Sequence, residues 1–212
     1  MLSIKQFTFN AFQENTYLLY DETKSAVIID PGCSNSSEER ELLNFIEQEE
    51  LSLEHLINTH CHVDHVLGLN FIADKFNLPA QFHALDLPVL EAVPNYATMY
   101  GFNVMPFSGE KKFIAEGDKI TFGKTTLDVL FVPGHAPGHV VFVYHPEKIV
   151  IGGDVLFYGS IGRTDLPGGD HETLITSIKS KLFPLGDDYV VYPGHGPKTN
   201  IGFEKKNNPF LN

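Results

Sequence analysis

Cysteine is scarce in this chain of 212 residues, which contains only Cys33 and Cys61. Two cysteines cannot build a disulfide framework, and the absence of any C-x-x-C pair removes the usual thiolate zinc sites. No apolar run approaches the roughly 18 residues of a membrane-spanning helix. The start, MLSIKQFTFN, lacks the basic segment and apolar run of a signal peptide, so we expect a cytoplasmic protein.

Basic residues are also few, with 15 Lys and Arg against 27 Asp and Glu and a formal net charge of −12. A protein that binds nucleic-acid phosphates needs a basic surface, and anionic membranes attract basic proteins rather than acidic ones. We therefore expect neither nucleic acid nor a membrane as a partner. With 42% hydrophobic and 20% charged residues, the composition is otherwise that of a globular protein.

The order of predicted elements indicates an α/β protein. Strand-like runs occur in both halves: IKQFTF, NTYLLY, SAVIID and HLINT, then KITFG, TTLDVLFV, HVVFVYH, KIVIGG and DDYVVYPG. Helices are predicted from Ser36 or Ser37 through ERELLNFIEQEE, over DHVLGLNFIADKFN, and from about Glu172 to Leu182. Residues 86–112 resemble an irregular segment or a short helix with loops. No repeat or linker interrupts the chain, so we expect one domain over residues 1–212.

Strands followed by helices in each half predict two sheets packed face to face, with the helices outside. Apolar runs such as AVII and YVVY suit strands that are covered on both faces. The alternative is a single doubly wound sheet.

The segment NTHCHVDHVLG holds four metal-binding side chains within six positions: His60, His62, Asp64 and His65. Neutral imidazole and carboxylate are good ligands for zinc and for iron or manganese. Residues two apart in an extended segment point the same way, so His60 and His62 can hold one ion together. Asp64 and His65, at the start of the next helix, can turn toward a second ion beside the first.

Three further candidates follow glycines at the ends of predicted strands: His135 in PGHAPGH, Asp154 in IGGDV and His195 in PGHG. Each tripeptide alone is an ordinary turn, and a lone histidine is more often a surface or core residue than a ligand. A chance H-x-H-x-D-H is rare, however, and here it occurs with three loops whose glycines let backbone and ligand come close. The conjunction predicts a metal centre.

These motifs resemble those of the metallo-beta-lactamase-fold hydrolases, and the resemblance covers essentially the whole chain. It implies an αββα sandwich of two mixed β-sheets flanked by helices, with a two-metal site along one edge. The implied ions are divalent, with zinc as the first choice and iron or manganese as alternatives. The resemblance implies three ligands to the first ion, three to the second and one bridging ligand: His60, His62 and His135; Asp64, His65 and His195; and Asp154.

Within this family the chain resembles the short bacterial glyoxalase II-type thioesterases, through GSIGRTDLPGGDHETL and the tail GFEKKNNPFL. The implied substrate is a small-molecule thioester such as S-lactoylglutathione or a related acyl-thiol. Its carbonyl would be attacked by a metal-bridging hydroxide, with Asp64 and Asp154 as the catalytic carboxylates. The chain ends roughly 17 residues after His195. The C-terminal helical region with which long glyoxalase II enzymes clasp glutathione is therefore not expected, and the carrier thiol stays open.

Four other residues have weaker assignments. Arg163 in GRTD is a candidate contact to a substrate carboxylate, with a structural salt bridge as the alternative. The resemblance implies that Asp30 supports a metal-bound histidine, since ligand histidines usually donate their second N–H to a carboxylate or carbonyl. We expect His139 to support the site rather than ligate. Strand alternation points Cys61 away from its two histidine neighbours, which favours a packing role.

Two alternatives remain open. A persulfide dioxygenase resembles this chain in the first histidine motif and in GRTD, and it uses one iron held by two histidines and an aspartate. The ending PGHG favours the hydrolase. The second alternative is a metal-binding scaffold with a degraded site. All seven ligand positions hold a histidine or an aspartate, which argues against that alternative. For β-lactam cleavage, the sequence offers only the shared metal motif. The oligomeric state is open.

Overall fold

Fourteen strands and five α-helices form the fold, and the computed structural model describes every residue from Met1 to Asn212. The strands are β1 Ser3–Phe9, β2 Glu14–Tyr20, β3 Ser25–Ile29, β4 Ser52–Ile57, β5 Ala80–His83, β6 Lys111–Ile114, β7 Lys119–Phe122, β8 Thr125–Phe131, β9 Val140–Tyr144, β10 Ile149–Gly153, β11 Leu156–Phe157, β12 Ser160–Ile161, β13 Val190–Pro193 and β14 Thr199–Asn200. The helices are α1 Ser36–Gln48, α2 Leu69–Phe76, α3 Leu87–Tyr96, α4 His171–Ser177 and α5 Ile201–Asn207. None of these helices has both the length and the apolar character needed to cross a bilayer.

The strands form two mixed sheets and one small hairpin. The first sheet has the order β1-β2-β3-β4-β5-β6, antiparallel up to β3 and parallel from β3 to β6. The second has the order β14-β13-β10-β9-β8-β7, in which only β10 and β13 run parallel. Strands β11 and β12 pair with each other. The predicted αββα sandwich is confirmed, and the alternative of a single doubly wound sheet is wrong.

Three apolar layers hold the sandwich together, and strand alternation decides which side chain enters which layer. In β2, Tyr17 and Leu19 point between the two sheets, whereas Leu18 points to the layer under α1 to α3. Phe142 of β9 lies between the sheets, and its neighbour Val143 packs under α4 and α5. Successive residues of a strand face opposite sides, so a run without polar residues fits a strand that is covered on both faces.

Several predicted boundaries were wrong. Helix α1 is capped by Asn35 rather than by Ser36 or Ser37, because the Asn35 side chain accepts hydrogen bonds from the N–H groups of Ser37 and Glu38. Helix α2 begins at Leu69 rather than in the histidine motif. The Asn58 side chain donates to the carbonyl of His65 at 2.9 Å. This bond takes a backbone acceptor that a continuous helix would have used.

Strands β5, β6, β11, β12 and β14 and helix α5 were not predicted, whereas the short helix with loops that residues 86–112 allowed is present as α3, with ten residues. Strands β5 and β6 have four residues each and depend on parallel pairing with their neighbours. Helix α5 is held at Glu204, a fully buried carboxylate that accepts hydrogen bonds from Gly159 N–H, the Thr199 hydroxyl and the Asn208 amide. Such tertiary contacts leave no periodic signal in the sequence.

Candidate metal centre

Four loops meet at one edge of the sandwich and carry the seven predicted ligands. The first leaves β4 and holds His60 and His62, followed by a 3₁₀ turn, Val63–His65, that presents Asp64 and His65. The other three loops follow β8, β10 and β13, and each presents one side chain: His135, Asp154 and His195. All seven residues lie in loops or turns at the ends of strands that belong to different sheets. Their convergence is therefore a property of the two-sheet fold.

Glycine is required at two of these strand ends. A Cβ atom on Gly194 would lie 2.2 Å from Asp154 Oδ1 and 2.7 Å from His65 Cε1. Gly153 has a φ of +48°, and a Cβ there would lie 2.4 Å from the Thr59 hydroxyl. Both strands therefore approach the centre more closely than any residue with a side chain permits.

Three imidazoles define the first half-site. His62 Nδ1 lies 2.9 Å from His135 Nε2, and His135 Nε2 lies 3.2 Å from His60 Nε2. All three side chains are buried. A cluster of three nitrogen atoms at these separations is the arrangement that three protein ligands of a zinc-like ion adopt.

Two histidines and a carboxylate define the second half-site. His195 Nε2 lies 3.1 Å from Asp64 Oδ2, and His65 Nε2 lies 3.7 Å from the same oxygen. His65 is fully buried, while the His195 side chain is 27% exposed, so this half-site faces the solvent on the His195 side.

Asp154 lies between the half-sites. Its Oδ2 is 3.6 Å from His135 Nε2 in the first half-site and 3.5 Å from His195 Nε2 in the second. Its Oδ1 is 3.5 Å from His65 Nε2. Asp154 is the one residue of the seven whose carboxylate oxygens approach histidines of both half-sites, which is the position that the bridging role requires.

The hydrogen bonds on the outer ring nitrogens assign the tautomers and test whether cations fit. His135 Nδ1 donates to the carbonyl of Arg163 at 2.8 Å. The Thr59 hydroxyl donates to Asp30 Oδ2 at 2.6 Å, so its oxygen accepts from His60 Nδ1 at 3.0 Å. Both Nε2 atoms therefore direct lone pairs into the first half-site, where they repel each other unless a cation lies between them.

The second half-site has the same construction. His65 Nδ1 donates to Asp30 Oδ2 at 3.1 Å, and His195 Nδ1 donates to the carbonyl of Phe12 at 3.1 Å. Their Nε2 atoms face carboxylates, and His65 Nε2 and Asp154 Oδ1 are buried without a hydrogen-bond partner. Buried polar atoms normally have a partner, so this donor set fits a second cation.

The electrostatics differ between the half-sites in a way that suits two cations. Burial lowers the pKa of His62 to about 3 and lowers those of His60 and His135, which keeps these imidazoles neutral and able to ligate. Burial also acts on His195, but hydrogen bonds to Asp154 and Asp64 outweigh it and raise the pKa to about 10. The carboxylates of the second half-site thus favour a positive charge beside them, and a divalent ion would supply that charge in place of a proton.

Asp30 and His139 lie behind the ligands. The Asp30 carboxylate accepts from the Thr59 N–H at 2.7 Å as well as from Thr59 Oγ1 and His65, so both of its oxygens are occupied. His139 Nε2 accepts from the Asp154 N–H at 3.1 Å, and its ring stacks on His60 at 4.7 Å. These contacts orient His65, His60 and Asp154, and they occupy both Asp30 oxygens and His139 Nε2.

The Arg163 side chain forms a salt bridge. Its guanidinium donates two hydrogen bonds to Asp165, both at 2.7 Å, and both side chains are more than half exposed. Its backbone carbonyl holds His135, so the residue supports the first half-site through its main chain. Cys61 is fully buried in the apolar layer under α1 to α3.

Asp86 and Glu14 were missed by sequence reasoning. Asp86 is fully buried and accepts hydrogen bonds from the N–H groups of Cys61 at 2.7 Å and Gly138 at 2.6 Å. It thereby joins the loop of His60 and His62 to the loop of His135, and burial raises its pKa to about 6. Glu14, also fully buried, has Oε1 3.8 Å from His65 Nδ1. Asp86 follows β5 and Glu14 begins β2, and an isolated acid at either position carries no local signal that could have revealed its contact.

Comparison with known proteins identifies the family. The model of the metallo-beta-lactamase superfamily matches residues 9–195. The hydroxyacylglutathione hydrolase GloC of Haemophilus influenzae is 41% identical over 100% of this chain and 99% of its own. The chain belongs to the metallo-beta-lactamase superfamily, and it is a metallo-beta-lactamase-fold hydrolase. The resemblance to the glyoxalase II-type enzymes is confirmed by this relative.

Two solved structures have the same fold along the whole chain. TTHA1623, solved in a di-iron-bound form, is 37% identical, covers 98% of this chain and 100% of its own, and superposes with a TM-score of 0.88. The BLEG-1 B3 metallo-beta-lactamase is 36% identical, covers 100% of this chain and 99% of its own, and has a TM-score of 0.85. The fold implies divalent metal ions, and the histidine clusters of this chain could bind them.

Substitution of Asp154 tests its position between the half-sites. We expect Asp154→Ala to lose most of both bound ions, because each half-site loses a carboxylate oxygen, whereas His195→Ala should lose one ion. Elemental analysis after dialysis against buffered free zinc measures both contents. His171→Ala, which removes an exposed histidine of α4, is the control and should match the unsubstituted protein. Full metal content in Asp154→Ala would contradict the bridging role.

Asp86→Ala tests the link between the two ligand loops. The substitution leaves two buried N–H groups without acceptors, so we expect the metal-free protein to lose about 3 kcal/mol of its free energy of unfolding. Urea unfolding followed by circular dichroism measures this loss. Asp74→Ala, at an exposed position of α2, should change the free energy by less than about 0.5 kcal/mol. Equal stabilities of the two variants would show that Asp86 does not join the loops.

Proposed function

We propose that this hydrolase cleaves thioesters, such as S-lactoylglutathione or a related acyl-thiol, in the manner of a glyoxalase II-type enzyme with two divalent ions. The observation that carries the proposal is the position of Asp154, whose oxygens lie 3.5 to 3.6 Å from histidines of both half-sites. The name of the Haemophilus influenzae relative, hydroxyacylglutathione hydrolase, supports the substrate class. Zinc is the proposed ion, and a cytoplasmic location and a single domain over residues 1–212 belong to the same proposal.

The proposed ligands are His60, His62 and His135 for one ion and Asp64, His65 and His195 for the other, with Asp154 shared. Bound divalent ions supply a water of lowered pKa and positive charge for the carbonyl oxygen. The outer N–H groups of His60, His65, His135 and His195 each donate a hydrogen bond to a hydroxyl, carboxylate or carbonyl oxygen. These bonds hold each ring in the orientation that directs its other nitrogen into the centre. The protein thus contributes a preorganised set of donor atoms.

Asp64 and Asp154 are the proposed catalytic carboxylates. Their side chains are 13% and 11% exposed, so substrate and solvent reach them while most of each group is held in the protein. Asp64 Oδ2 and Asp154 Oδ2, rather than the buried Asp154 Oδ1, can accept hydrogen bonds from the attacking water and orient it. The leaving thiol has a pKa of about 8.5, so it departs as a thiolate without a protein acid. No protein nucleophile is needed.

The dioxygenase and lactamase activities are weaker alternatives. A mononuclear iron enzyme would not need the second group of ligands, yet Asp64, His65 and His195 lie within ligand distance of one another. The di-iron form of TTHA1623 makes iron a candidate metal without implying redox chemistry. Since a B3 metallo-beta-lactamase is 36% identical, β-lactams belong in the activity panel.

Anaerobic turnover separates hydrolysis from oxidation. We expect zinc-loaded protein to cleave thioesters under nitrogen, since hydrolysis needs no electron acceptor and zinc is redox-inert. S-lactoylglutathione and thioesters of other small thiols are assayed by release of free thiol, with a β-lactam and glutathione persulfide in parallel. Oxygen uptake on the persulfide by iron-loaded protein, with no thioester cleaved, would overturn the proposal.

A further inference from the structure

The loop of His195 is the part of the second half-site that packing holds least. The side chain of His195 is 27% exposed, whereas that of Asp64 is 13% exposed and that of His65 is fully buried. Glycine precedes and follows His195, and Gly196 has a φ of +71° with no atom near the place of a Cβ. A loop with two glycines loses much conformational freedom on folding, so hydrogen bonds have to select the conformation in which its histidine can ligate.

One residue of the first sheet supplies most of these hydrogen bonds. The backbone N–H of Asn15, in β2, donates to the Gly194 carbonyl at 2.7 Å. The side-chain nitrogen of Asn15 donates to the carbonyls of Pro193 and Gly196, both at 3.0 Å. Asn15 therefore holds three backbone carbonyls that lie on both sides of His195 in the chain.

The Asn15 amide is buried with both of its ends hydrogen-bonded. Its nitrogen faces two carbonyls, which can only accept, so the orientation of the amide is fixed. Its oxygen accepts from Gln6 Nε2 at 2.8 Å and from the Thr8 hydroxyl at 3.1 Å. The residue is 1% exposed, so water does not reach it to replace a lost hydrogen bond. The surroundings of Asn15 therefore require a side chain that donates on one side and accepts on the other.

The contribution of Asn15 is greatest on the C-terminal side of His195. Before this histidine, the loop has a second support, because the Tyr17 hydroxyl also donates to the Pro193 carbonyl, at 2.7 Å. After it, the Gly196 carbonyl accepts a hydrogen bond from Asn15 alone. Loss of the Asn15 amide would therefore remove a hydrogen bond that no other residue replaces, directly beside the ligand.

Resting on the two-ion part of the proposed function, we propose that Asn15 is a positioning residue for the second half-site. It selects the backbone conformation of the loop in which His195 Nε2 lies 3.1 Å from Asp64 Oδ2, and the second ion binds tightly only in that conformation. Asn15 itself contacts neither ion nor substrate, since all of its polar atoms bind protein groups. Groups that orient a metal ligand typically contribute about 10- to 100-fold to metal affinity.

Zinc binding by Asn15 variants tests this proposal. Asn15→Asp keeps the shape of the side chain but places an oxygen opposite two carbonyls, and Asn15→Ala removes the amide altogether. In both variants we expect the Kd of the ion that His195→Ala loses to rise about tenfold or more, while that of the other ion stays within a factor of about two. Competition for zinc with a chromophoric chelator measures both constants. An unchanged second Kd in both variants would overturn the proposal.

A double-mutant cycle asks whether Asn15 acts through His195. In a His195→Ala background, Asn15→Asp should leave the remaining zinc affinity unchanged, because the side chain that Asn15 positions is absent. Asn208→Ala is the control for Asn15→Ala, since Asn208 is also fully buried and its side-chain nitrogen also donates two hydrogen bonds. Thermal unfolding checks that each variant is folded. Weaker binding of both ions by Asn15→Asp, or an equal effect of Asn208→Ala, would indicate a merely structural role and contradict the proposal.

A measurement on metal-free protein separates failure of this inference from failure of the proposed function. The His195 Nδ1–H, which donates to the Phe12 carbonyl, should give an NMR signal in histidine-labelled protein that is missing from His195→Ala. Asn15→Asp should shift or lose this signal, whereas Asn208→Ala should retain it. If the unsubstituted protein binds one zinc or cleaves no thioester, the proposed function fails, and the His195 signal still decides the role of Asn15. An identical signal in Asn15→Asp and the unsubstituted protein would reject that role.

Discussion

The geometry of the candidate metal centre depends on the hydrogen bonds to the outer ring nitrogens of the histidines. Thr59, Asp30, and the carbonyls of Arg163 and Phe12 each hold one ring so that its other nitrogen points into the centre. The inward lone pairs repel one another, and the carboxylates beside them add negative charge. Such an arrangement is stable only with compensating positive charge, which accounts for the raised pKa of His195 and for the fit of divalent ions.

The fold brings the ligand side chains together because strands of both sheets end at one edge of the sandwich. The loop after β4 belongs to the first sheet, whereas those after β8, β10 and β13 belong to the second. Gly153 and Gly194 allow the backbones to approach within a distance that a Cβ atom would forbid. Asp86 joins loops from the two sheets through two backbone N–H groups, so packing of the sandwich and geometry of the centre are coupled.

Local pattern was sufficient where residues adjacent in sequence act together. The spacing of His60, His62, Asp64 and His65 and the glycine loops of His135, Asp154 and His195 marked the residues that the fold gathers. Pattern failed where the partner is distant: Asp86 contacts backbone 25 and 52 residues away. The start of α2 also escaped prediction, because the Asn58 side chain binds the His65 carbonyl only in the folded loop.

The central claim is that two half-sites share one carboxylate and therefore bind two ions. Titration of metal-free protein with zinc, followed by gel filtration and elemental analysis, measures this directly. Two equivalents per chain are predicted, because Asp64, His65 and His195 form a ligand group separate from His60, His62 and His135. A reproducible limit of one equivalent per chain, in protein that is folded by circular dichroism, would contradict the account.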